Sequence, residues 1–102
     1  MVRIVNLKHE PDAVARGAVR VDRRTRWGNR FVLGRDGTRE QVVALYRADL
    51  WRRIRADEMA LADLAALDGR ALACWCWPRR PCHAEVLARA AAWAAAELAR
   101  TH

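Results

Sequence analysis

Residues 72–88, LACWCWPRRPCHAEVLA, hold all three cysteines of the chain, two of its five tryptophans and a histidine directly after the last cysteine. Thiols and an imidazole this close together suit a metal site, a reactive thiol or a packed strand. As metal ligands the set is Cys74, Cys76, Cys82 and His83, for zinc or an iron–sulfur cluster. Cys74 and Cys76, two apart on a strand, present their thiols to one face. Against this, C-x-C followed by C-H is not a usual zinc spacing, and neighbours on a helix point about 100° apart. As chemistry, the reactive residue is Cys82 with His83 beside it, because a helix start and nearby arginines both favour a thiolate. Arg79 and Arg80, with the unpaired amides of that helix start, suit a ligand's phosphate. As packing, cysteines are small hydrophobes, a role that fits Cys74 best.

The second candidate is the loop RTRWGNRF, residues 24–31. Gly28 permits close backbone approach, Asn29 offers a donor and an acceptor, and Trp27 offers a stacking face. The competing reading is that Trp27 and Phe31 plug the edge of a core. Trp51 and Trp93 fall on expected helices and read as packing or interface residues.

These residues need elements to hold them. RIVNL (3–7) and AVRVDRR (18–24) read as strands, the second with one wet face. TREQ at 38–41 matches a capping box, followed by Val43, Tyr46, Leu50 and Ile54 at helical spacing. A second, shorter helix is expected over 57–67, closed by Asp68-Gly69. RALACWCW (70–77) is apolar on both faces and suits the middle of a covered sheet. The last helix is expected over 82–100, with Leu87, Ala91, Ala94 and Leu98 inward. The order β-β-α-α-β-α predicts one small α/β domain over 1–102. Three to four strands carry helices in two or three layers, and the site lies where the last strand meets the last helix.

Length and composition agree with that. The chain has 102 residues, 53% of them hydrophobic, which is enough for one packed core. No apolar run is long enough to cross a membrane, and the N-terminus lacks the apolar core of a secretory signal, so a cytoplasmic location with reduced thiols is expected. The net charge of +7 points to a polyanionic partner. It also fits the composition bias of a GC-rich genome, since Lys8 is the only lysine and every other Lys/Arg position is arginine.

VDRRTRWGNRF, TREQVVALYRADL and LDGRALACWCWPRRPCHAEVLA together resemble the small bacterial and phage family known as domain of unknown function 4326. Its pattern has a W-G-N-P-F loop, a helix opening Ser/Thr-Arg-Glu and carrying a Tyr, and an L-x-G-[KR]-x-L-x-C-x-C-x-P segment leading into C-H. Arg30 stands in place of the usual Pro, and Ala84 where Gly is common. The cysteine segment is also similar to that of domain of unknown function 488, in which Glu stands at the place of Cys76. Glu and Cys share ligation and proton transfer rather than packing. Neither family implies an activity. The functional expectation is binding or processing of a nucleotide or nucleic-acid-related, phosphate-bearing ligand. Arg79, Arg80 and the Trp27-Gly28-Asn29 loop would hold it, and Cys82 and His83 would carry any chemistry. The alternative is a non-catalytic, metal-stabilised module that binds nucleic acid.

Overall fold

A computed structural model describes residues 4–22, 25–75 and 82–101. The expected ligands Cys76, Arg79 and Arg80 lie outside the described residues. Three short strands, β1 (Ile4–Asn6), β2 (Val19–Arg20) and β3 (Leu72–Cys74), form one parallel sheet in the order β1-β3-β2. Ile4 and Val19 both align with Leu72, and Asn6 aligns with Cys74. Residues 72–74 of the segment read as apolar on both faces form the central strand and are all buried, whereas Trp75, expected on a covered face, follows the strand and is 56% exposed. Parallel neighbours cannot be joined by a tight hairpin. The first crossover, residues 7–18, is made of turns, and the second contains α1 (Arg39–Arg55) and α2 (Leu61–Ala65).

The two faces of the sheet are covered differently. Leu72 and Cys74 face Tyr46 and Leu50 of α1, Leu64 of α2, and Leu87, Ala91 and Ala94 of α3 (His83–Thr101). Val5 and Ala73 face the other way and are sealed by Leu7 and Ala13 of the turn segment. The architecture is thus a helical layer on a sheet, with turns across its back.

The capping box forms as the sequence predicts. Thr38 Oγ1 accepts from the Gln41 amide at 3.3 Å, and Gln41 Oε1 accepts from the Thr38 amide at 2.8 Å. Gly37 makes this possible. It has φ +139°, and a Cβ there would lie 2.6 Å from Gln41 Oε1. The buried face of α1 runs through Val42, Tyr46, Asp49 and Leu50, so it is turned slightly from the expected Val43-to-Ile54 stripe. Asp49 belongs to that face because Arg30 (2.8 Å) and Arg52 (3.2 Å) pair with it. The arginine that replaces the family's proline thereby ties its loop to α1.

The second helix is shorter than expected. Asp57 takes φ +62° and turns the chain, Met59 plugs the core, and helical geometry resumes only at Leu61. On α3 the expected Leu87, Ala91 and Ala94 are buried and are joined by Ala84 and Ala90, while Leu98, also expected inward, is only half-buried.

Candidate functional site

A parallel sheet gathers the carboxyl ends of its strands along one edge, where ligands of such sheets bind. Here that edge holds Asn6, which ends β1, Asp22, just past β2, Cys74, which ends β3, and Trp75 after it. Cys82 and His83, which open α3, return to the same edge.

His83 Nε2 meets the backbone oxygen of Val21 at 2.5 Å. A carbonyl only accepts, so Nε2 carries the proton, and the lone pair of the neutral ring is on Nδ1. Nδ1 lies 3.9 Å from Cys82 Sγ. Adjacent helical residues would have diverged, but Cys82 precedes the first helical residue and caps the helix. Its carbonyl accepts from the Glu85 amide at 3.1 Å, and its Sγ from the Ala84 amide at 3.5 Å. The Cys74 thiol lies 3.4 Å from Cys82 Sγ, well beyond the roughly 2.05 Å of a disulfide, and both residues are thiols. Among the described residues Cys82 Sγ thus faces the His83 imidazole, the Cys74 thiol and the Ala84 amide. Transfer of the Cys82 proton to Nδ1 turns the imidazole into a third donor to the thiolate.

Tyr46 steadies the imidazole. Its ring meets that of His83 edge-on, with centroids 5.1 Å apart, and its hydroxyl donates to the Trp27 carbonyl at 2.7 Å. Burial pushes the Tyr46 phenol well above its ordinary pKa, opposed by the charge of Arg53 and assisted by Asp49 and Cys82. The Trp27-Gly28-Asn29 loop reaches the site through this tyrosine. The Trp27 ring is buried in the core. Gly28 N donates to Thr25 O at 3.1 Å. Asn29 donates to Val42 O at 3.0 Å and accepts from the Phe31 amide at 2.9 Å. Both ends of the Asn29 amide hold the loop on α1.

Asn6, Asp22 and Tyr46 are site residues that the sequence did not single out. Asp22 is buried and accepts from Arg20 at 2.6 Å and from Trp75 Nε1 at 3.0 Å. Asn6 accepts from the Lys8 amide at 2.8 Å and donates to Trp75 O at 3.4 Å. The signal that could have found Asn6 and Asp22 is their placement, each a polar residue closing an apolar strand. Among the described residues no group of three His, Cys, Asp or Glu side chains is arranged to hold a metal ion.

Cys82 is buried, at the base of a pocket on its other side. It lines a pocket of about 230 Å³ with Val43, Arg47, Trp51, Val86 and Arg89. That pocket continues into an open groove along α1.

Fold and site together define a small parallel α/β protein with a thiol–imidazole pair at the carboxyl edge of its sheet. The chain belongs to the family described as domain of unknown function DUF4326, whose pattern matches residues 5–93. It is 38% identical over 89 residues to the "Uncharacterized 12.4 kDa protein in nrdA-td intergenic region" of Enterobacteria phage T4, a match covering 86% of this chain and 75% of that protein. No solved structure matches it at a significant level.

Proposed function

We propose that the carboxyl edge of the sheet binds and processes a nucleotide or nucleic-acid-related, phosphate-bearing ligand, with Cys82 as nucleophile and His83 as its base. The observation that carries this reading is the placement of His83: Nε2 lies against the Val21 carbonyl, which can only accept, and Nδ1 faces Cys82 Sγ. A nucleophile, a base and a group that orients the base are the parts of an activated thiol. In the step they support, Sγ bonds to an electrophilic centre of the ligand as its proton passes to Nδ1. The leaving group departs with the bonding pair and recovers that proton. Arg47 and Arg89, on the pocket that Cys82 lines, supply charge for a phosphate.

A second reading is supported by the Cys74–Cys82 distance of 3.4 Å. Two buried thiols this close suit a shared soft metal, zinc or an iron–sulfur cluster, in a non-catalytic module that binds nucleic acid. The two readings separate in one experiment. Native protein is alkylated with iodoacetamide at pH 7, with and without chelator, and each thiol is read by peptide mass spectrometry. The thiol reading expects Cys82 to react first with or without chelator, and His83→Gln to slow it by about tenfold or more. The metal reading expects a bound metal and a Cys82 protected until it is chelated. A Cys82 that reacts only after unfolding, chelated or not, sinks both.

A further inference from the structure

The outer side of the helical layer carries positive charge that the fold does not use. Arg47 and Arg55 on α1 and Arg89 on α3 are exposed, and among the described residues none of them makes an ion pair or hydrogen bond. By contrast, Arg16, Arg20, Arg26, Arg30, Arg35, Arg52 and Arg100 each pair with a carboxylate. Arg47, Arg55 and Arg89 border one open groove of about 690 Å³ and the smaller pocket that continues from it.

The spacing within the groove is regular. Arg47, Trp51 and Arg55 follow one another at four-residue intervals, which stacks them along one face of α1 about 6 Å apart. Arg89 and Trp93 repeat the interval on α3. Trp51 and Trp93 meet edge-on, with ring centroids 4.8 Å apart, and Trp93 stays 38% exposed. The two helices run in the same direction: Val43 and Cys82 border the pocket at one end, and the tryptophans meet further along. Glu40 and Glu85, the acidic lining residues, sit in the first turns, where they balance the helix dipoles. The remaining lining is three arginines and Trp51 on an aliphatic floor of valines and alanines, with Trp93 packed beside Trp51.

We infer that this α1–α3 groove is a docking surface for single-stranded nucleic acid, with the arginines on phosphates and Trp51 and Trp93 stacking against bases. An open channel with guanidiniums interleaved with aromatic faces suits unpaired bases, whose faces are accessible, and not duplex, whose bases are stacked on one another. The inference rests on the phosphate-bearing ligand class proposed above and leads that ligand to Cys82.

The test is fluorescence anisotropy with a labelled oligothymidylate of about twelve nucleotides and a duplex of the same length. The proteins are wild type, Arg47→Ala/Arg89→Ala, Trp51→Leu, and the charge-matched control Arg26→Ala/Arg35→Ala. The groove arginine pair should weaken the single strand by about tenfold and lower the salt slope by about 1.4, while the control changes affinity less than threefold. Trp51→Leu should weaken binding by about tenfold. If its melting temperature shows it unfolded, the exposed arginine pair decides alone. Equal losses in groove and control variants would overturn the inference in favour of a diffuse field, and duplex binding as tight as the single strand would overturn the ligand. Oligothymidylate that protects Cys82 but ignores the Arg47/Arg89 change sinks the groove and spares the thiol site. Groove-dependent binding with an inert Cys82 upholds the groove and sinks the thiol site. No binding at low salt sinks the groove.

Discussion

The carboxyl edge of the sheet and the outer face of the helices treat polar groups in opposite ways. At the edge every polar side chain named above has a partner inside the fold: Asp22 with Arg20 and Trp75, His83 with Val21, Cys82 with Cys74 and His83. Among the described residues no buried side-chain nitrogen or oxygen lacks a hydrogen bond. In the groove Arg47, Arg55 and Arg89 have no ion pair or hydrogen bond among the described residues. Burying a polar group without a partner costs stability, so a buried site has to be built as a closed network. An exposed cation costs almost nothing and stays available. The edge is built as a closed network, the groove is proposed to meet a partner from outside, and Cys82 lies on both.

The contrast predicts unequal responses to substitution. Leu72→Ala, at the centre of the sheet under the site, should destabilise by about 2–5 kcal/mol, read as a shifted denaturation midpoint. An unchanged midpoint would mean that the central strand is misplaced and the edge is not rigid. Tyr46→Phe should come next, at about 1–3 kcal/mol, because it leaves the Trp27 carbonyl without its donor. Tyr46 is the chain's one tyrosine, so phenolate absorbance reads it alone. Its folded pKa is raised, so the stability linked to it is complete below the unfolded value of about 10 and falls as pH rises above that. Native protein should therefore show no phenolate at pH 10.5, and Tyr46→Phe should flatten the alkaline loss of stability. Ordinary titration near pH 10 in the folded state would place Tyr46 in solvent and detach it from His83.

The sequence was informative where structure is local. The capping box at Thr38, the apolar central strand and the alanine face of the last helix follow from spacing alone, and all three form. The Cys82–His83 pair was visible as a motif, but its geometry was not. Helical periodicity set the two side chains apart, whereas a cap residue is released from that period. Tyr46 read as one more apolar position because its hydroxyl partner is nineteen residues away in sequence. Asn6 and Asp22 depend on the strand order β1-β3-β2, which no local pattern encodes. That Arg47, Arg55 and Arg89 have no carboxylate partner among the described residues depends on where those carboxylates end up.

Smaller effects sharpen the comparison. Thr38→Ala should cost about 1 kcal/mol by removing the cap of α1, with Cys82 reactivity unchanged. Arg47→Ala/Arg89→Ala should move stability by no more than about 0.5 kcal/mol while weakening oligonucleotide binding. A large stability loss in that pair would show that the groove arginines serve the fold after all.

The account holds that groove and edge form one site, with the groove bringing a strand to the Cys82 thiol. The direct measurement is the rate of Cys82 alkylation in native protein as oligothymidylate is added, in wild type and in Arg47→Ala/Arg89→Ala. The account predicts protection that saturates at the oligonucleotide's own dissociation constant and shifts about tenfold to higher concentration in the variant. Cys82 alkylation that stays constant while the oligonucleotide is demonstrably bound would contradict it.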